Sequence, residues 1–131
     1  MKTQLTAEES AKLIELGVSP ERASMCESFV AYGNGARGIM KAPETPIFTL
    51  ANILDILPKE PKYDSIGRPF TLHIREYKGD WRVWYARDGA DSMIGSGKHA
   101  PELIDALYSL LVWCLEKGIP TDSAPLPGIS F

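Results

Sequence analysis

Five side chains able to grip an anion or a flat base fall close together in the chain: His73, Arg75, Tyr77, Arg82 and Trp84. Imidazole, guanidinium and phenol donate hydrogen bonds to phosphate or carboxylate oxygens, and an indole offers a face on which an unpaired base can stack. Whether they act together depends on strand register. The runs at residues 70–77 and 81–87 are rich in β-branched and aromatic residues, and Lys78-Gly79-Asp80 between them is the strongest hairpin signal in the chain. Alternation sets Phe70, Leu72 and Ile74 on one side of the first strand and Trp81, Val83 and Tyr85 on one side of the second. Both sets turn inward together when the numbers of paired residues add to 157, which a Lys78-Gly79 turn or a four-residue loop allows.

That register puts Thr71, His73, Arg75 and Tyr77 outward, opposite Ala86, Trp84, Arg82 and Asp80. Arg75 then faces Arg82, an arrangement that costs stability unless something anionic lies against it. Residues 62–87 hold six Lys or Arg against three acids, while the whole chain carries a net charge of −3. Such a face suits a nucleic-acid backbone with stacked bases, held weakly because the global field is not attractive. The alternative is a face that is simply solvated, or covered by residues 29–46.

Other motifs lack the context their chemistry requires. Gly33-Asn34-Gly35-Ala36-Arg37-Gly38 matches a dinucleotide fingerprint by letter, but Pro43 and Pro46 leave no room for the helix that should follow. Gly95-Ser96-Gly97-Lys98 has part of a phosphate-binding loop and continues with His99 where Ser or Thr belongs. His73, His99, Cys26 and Cys114 are too few and too scattered for structural zinc. Cys26 lies between Glu21 and Glu27, the wrong surroundings for a reactive thiolate. The pairs Glu8-Glu9 and Asp88-Asp91 belong to a helix cap and a loop, where solvated carboxylates are expected. The reading is a protein without catalytic residues, cofactor or metal.

The elements that would position the cationic face follow from caps and periodicity. With 131 residues, 44% of them hydrophobic, the chain is long enough for one domain with its own core. A helical hairpin is expected over residues 1–28. Thr6 and Glu9 form a capping box for a helix at 7–16, while Ser19 and Pro20 open a second one, to about residue 28. Residues 29–46 read as a glycine- and proline-rich loop with at most a brief hairpin, and 47–118 as an α-β-β-α core. Thr49 caps the first core helix, and 101–117 forms the last, closed by Gly118. Residues 92–94 are a candidate third strand, and 119–131 an extended tail.

The fold class is therefore α+β, an antiparallel hairpin packed against helices. Its expected core comprises Leu50, Ile53, Leu54, Leu57, Phe70, Leu72, Ile74, Val83, Leu103, Leu107, Leu110 and Leu111. The apolar arc of helix 101–117 is wider than one sheet covers. Either the N-terminal helices share it or a second subunit does, with Trp113 as the candidate dimer surface. No segment is apolar for the roughly 20 residues a membrane helix needs, and the chain opens without a basic-then-apolar signal, so no membrane partner is expected. Two cysteines, one inside an apolar helix, fit a reduced cytoplasmic setting.

Trp81-Arg82-Val83-Trp84-Tyr85 and Pro101-Glu102-Leu103-Ile104-Asp105-Ala106-Leu107-Tyr108, with the segments at 5–17 and 48–59, resemble a group of small proteins of gut anaerobes associated with prophages and other mobile elements. The resemblance implies a cytoplasmic protein and supplies no site residues. The element order also resembles that of double-stranded RNA-binding domains. Here, however, Glu102 and Asp105 stand in the first turns of the last helix, where basic residues belong. A hairpin followed by a helix is similar to HicB-type antitoxins as well, at the level of fold alone. Two functions are expected: a non-enzymatic interaction or regulatory protein with a protein partner or a second copy of itself, or a nucleic-acid-binding regulator using the hairpin face.

Overall fold

The computed structural model describes residues 1–27, 30–32, 39–41, 45–59, 70–87 and 93–123. The first helix, α1 (Ala7–Glu15), starts at the expected capping box: Thr6 Oγ1 accepts from the Glu9 backbone N–H, and the Glu9 carboxylate accepts from the Thr6 N–H. A second capping box, Thr49 with Asn52, opens α2 (Leu50–Ile56). The third helix is α3 (Leu103–Glu116). It starts two residues later than expected, with Glu102 at the N-cap; the Glu102 carboxylate does not cap the helix but accepts from the Lys2 backbone N–H at 3.0 Å.

The expected helix at 20–28 is corrected. Ser19 does accept from the Glu21 N–H, but only a single 3₁₀ turn, Pro20–Arg22, follows. The Asn52 side chain accepts from both the backbone N–H and the hydroxyl of Ser24 at 3.0 Å, and the chain beyond it runs extended. With no apolar stripe to bury as a helix, this stretch forms β1 (Met25–Glu27) instead. Its antiparallel partner is β4 (Thr45–Ile47), and between them β2 (Val30–Tyr32) pairs with β3 (Ile39–Lys41). The brief hairpin expected inside 29–46 is present as the antiparallel pair β2–β3, with β1–β4 a second two-stranded pair. The fingerprint glycines at 33–38 lie outside the described residues, but the strands flanking them are antiparallel to each other, not the strand and helix of a nucleotide-binding unit.

A three-stranded antiparallel sheet in the order β5 (Thr71–Tyr77), β6 (Asp80–Ala86), β7 (Met93–Ala100) carries the candidate face. Every β5–β6 pair has the expected register, from Thr71 with Ala86 to Tyr77 with Asp80. The connection is the two-residue turn: Lys78 and Gly79 both have positive φ, 52° and 77°, as a type I′ turn requires. The third strand is longer than the three residues expected and includes them only in part.

The inner face of this sheet packs on α3, with α2 beside it and α1 against β4. Leu5, Leu13, Phe48, Ile53, Phe70, Val83, Tyr85, Leu107, Leu110 and Leu111 are buried in one core, against which Leu50, Leu54, Leu72 and Leu103 lie half-buried. Ile74 is a correction. It points inward by alternation yet is 41% exposed, because α3 lies over β6 and β7 and leaves this end of the edge strand β5 uncovered.

The wide apolar arc of α3 finds its cover within one chain. Ile104, Ala106, Leu107, Leu110, Leu111 and Cys114 are buried, and Trp113 is half-buried against the same core. The tail expected as extended begins by packing back. Ile119 is buried, Asp122 donates its N–H to the Ile56 carbonyl, and its carboxylate pairs with Arg22 at 2.8 Å. Residues 124–131 lie outside the described residues.

Candidate functional site

Antiparallel partners share a face, so two registers together lay out the outer side of the sheet as rows. Arg82 pairs with Arg75 on one side and with His99 on the other. One row across three strands therefore reads Arg75, Arg82, His99. At the usual strand spacing it spans roughly 10 Å. The next row holds His73 and Trp84, whose rings stack at 5.5 Å between centroids and 12° between planes. Thr71 Oγ1 lies 3.2 Å from His73 Nε2 and donates to the Ala86 carbonyl, so Thr71 helps hold the imidazole beside the indole. The row at the turn holds Tyr77 and Asp80.

Beyond Trp84 the pairing of β6 with β7 shifts. Val83 pairs with Lys98 but Tyr85 with Ile94, so β7 carries two extra residues opposite the tryptophan. Gly97 sits in this irregularity with φ of 87°, and a side chain there would meet nothing within 4 Å. Gly97 and Trp84 face the same open space. The result is a concavity of about 640 Å³ lined by Arg75, Tyr77, Arg82, Trp84, Gly97, Lys98 and His99.

Charge here is unbalanced. Arg75 has no carboxylate partner among the described residues, while Arg82 lies 3.8 Å from Asp80 and its guanidinium carbon 5.9 Å from the centre of the Tyr77 ring. Lys78 covers the same ring at 5.4 Å. Asp80 is closest to His99, with Oδ2 3.1 Å from Nδ1. A carboxylate only accepts, so in the neutral imidazole this contact fixes the proton on Nδ1 and leaves the lone pair on Nε2.

All five residues picked from the sequence, His73, Arg75, Tyr77, Arg82 and Trp84, lie on this one face. Four line the concavity, and His73 supports Trp84 from beside it. His99 and Gly97, which also line the concavity, were missed; Lys98 pairs with Val83, so its side chain belongs to the α3 side of the sheet. The signal was the pairing rule itself: extending it by one strand sets His99 opposite Arg82. Gly95-Ser96-Gly97-Lys98 belongs to β7 and precedes no helix directly, so it is not a phosphate loop.

Elsewhere the chemistry is quiet. No group of three or more His, Cys, Asp or Glu among the described residues could hold a metal ion. Cys26 is exposed and Cys114 buried; burial pushes the Cys114 thiol up to about 12. Burial, with Cys114 adding to it, also pushes the Tyr85 hydroxyl up, and that hydroxyl donates to the Pro58 carbonyl at 2.7 Å. No helix among the described residues is long and apolar enough to cross a membrane. No protein-family model, curated protein or solved structure matches the chain.

Proposed function

We propose that the protein is a nucleic-acid-binding regulator that holds a single-stranded segment on the outer face of the three-stranded sheet. Of the two functions expected from the sequence, the geometry favours this one. The observation that carries it is the row Arg75, Arg82, His99 running beside an indole that lines the same open concavity. A phosphate lying over the row accepts charge-assisted hydrogen bonds from both guanidinium groups and offsets their mutual repulsion. A base splayed from the same strand stacks on Trp84, which a duplex with its bases already stacked and paired cannot do.

The net charge of −3 removes long-range steering, so affinity is modest and falls steeply with salt. The test is a titration of labelled single-stranded RNA, single-stranded DNA and duplex of mixed sequence at low salt, followed by anisotropy and by tryptophan fluorescence. Single strands bind and duplex does not, and Trp84→Ala weakens binding by about 1–3 kcal/mol per stacked base while the protein stays folded, with only the small drop in midpoint that losing the stacked His73–Trp84 pair brings. Wild-type affinity in a folded Trp84→Ala variant, or no binding of any single strand, overturns the reading.

A further inference from the structure

The cationic row ends in a residue that binding alone does not need. His99 lines the concavity, and Asp80, which does not, holds its Nδ1 from behind. With the proton fixed on Nδ1, Nε2 is the nitrogen left to a ligand. An imidazole backed by a carboxylate, beside two guanidinium groups, places a proton acceptor next to a site for phosphate negative charge. Within an RNA strand, the group adjoining each phosphate that can lose a proton and attack is the ribose 2′-hydroxyl.

We infer that this face cleaves the RNA it holds, by transfer of the phosphate from the 5′ oxygen of one nucleotide to the 2′ oxygen of its neighbour. His99 Nε2 takes the 2′-hydroxyl proton as the oxygen bonds to phosphorus. Arg75 and Arg82 hold the two non-bridging oxygens, whose charge grows in the five-coordinate transition state. The bond from phosphorus to the 5′ oxygen breaks, and that oxygen takes a proton from the Tyr77 hydroxyl or from water in the open concavity. His99 returns its proton to the phenolate or to solvent. The products are a 2′,3′-cyclic phosphate and a free 5′-hydroxyl; no atom, electron or metal is consumed. Asp80 touches none of the reacting atoms and is a positioning residue. Trp84, by stacking one base, sets which phosphate lies over the row.

The inference rests on the proposed binding of a single strand, and the experiment separates the two. Purified protein is incubated with an end-labelled RNA 12-mer in EDTA, beside the same strand carrying 2′-deoxyribose throughout, while binding of both is measured. Cleavage of RNA alone, with a cyclic phosphate end by mass spectrometry, is expected. His99→Gln lowers the rate at least about a hundredfold while binding changes by less than a few fold. Asp80→Asn lowers kcat and leaves KM unchanged. Bound but intact RNA overturns the cleavage and leaves the binding reading in place. Cleavage that survives His99→Gln, or that leaves a 5′-phosphate, overturns it as well. No binding at all defeats both.

Discussion

The two faces of one strand, β6, are solved by opposite rules. Inward, Val83 and Tyr85 are buried and Trp81 half-buried against α3, and the one deeply placed hydroxyl, that of Tyr85, has its acceptor in Pro58. Outward, Arg82 stands between another arginine and a histidine, with Asp80 the carboxylate beside them among the described residues. The inner face is satisfied by the chain itself. On the outer face the folded protein tolerates like charges side by side, and that tolerance is the mark of a surface shaped for something other than stability. A second charged cluster sharpens the contrast. Lys2 reaches Asp105 at 2.7 Å and Glu9 at 3.2 Å, tying the N-terminal segment and α1 to α3 with more acid than base. One cluster closes the fold; the other faces outward.

The comparison is broken most severely from inside. Leu107→Ala empties a fully buried position on α3 and lowers stability by about 2–5 kcal/mol, read as a lower denaturation midpoint. An unchanged midpoint would mean that α3 does not pack as described. The outer face responds with the opposite sign. Arg75→Thr relieves the like-charge pair and keeps strand propensity, so stability rises by about 0.2–1 kcal/mol while affinity for single-stranded RNA falls. A variant that loses both would show that Arg75 supports the fold rather than the ligand.

The smallest effect is at the closing cluster. Hydrogen bonding to Asp105 raises the Lys2 ammonium above its ordinary value against the opposing effect of burial, with Glu9 adding to the rise. Burial alone would raise the Glu9 carboxyl, but the Thr6 backbone N–H and Lys2 outweigh it and hold it below its usual value. The Glu9 contribution is therefore complete above the ordinary carboxylate range and lost as pH falls through its lowered value. The Lys2 contribution is complete below the ordinary lysine range and lost as pH climbs through its raised value. Lys2→Ala costs about 0.2–1 kcal/mol at neutral pH, and much less in strong acid or strong alkali. Equal losses across pH would assign the cost to packing.

The β5–β6 register was legible because two seven-residue strands alternate apolar with charged residues and Gly79 permits the tight turn. The His73–Trp84 and Arg75–Arg82 pairings followed from it. β7 was not legible, since Gly95 and Gly97 erase the alternation and two extra residues shift the pairing opposite Trp84. His99 was hidden with it. The short strands β1 to β4 have three residues each, too few for a period to show. At residues 20–28 the cap was read correctly and the helix was not: a cap reports where a helix can start, while its continuation was decided by the distant Asn52. Ile74 shows a similar limit, because alternation names a face and not how far the covering helix extends.

The ties made by the first residues have a consequence for synthesis. Lys2 finds its partners 100 and 103 residues further along, at Glu102 and Asp105, and the Ser19 N–H finds its acceptor at Ser123. On the ribosome α1 can coil early, helped by its own capping box, and can meet β4 once residues 45–50 have emerged, but its ties to α3 and to the turn beyond wait until those are made. Leu5 and Leu13, buried in the finished protein, complete their burial only when α3 joins the same core. The chain is thus closed late, by the stretch made later reaching back to lock the stretch made first.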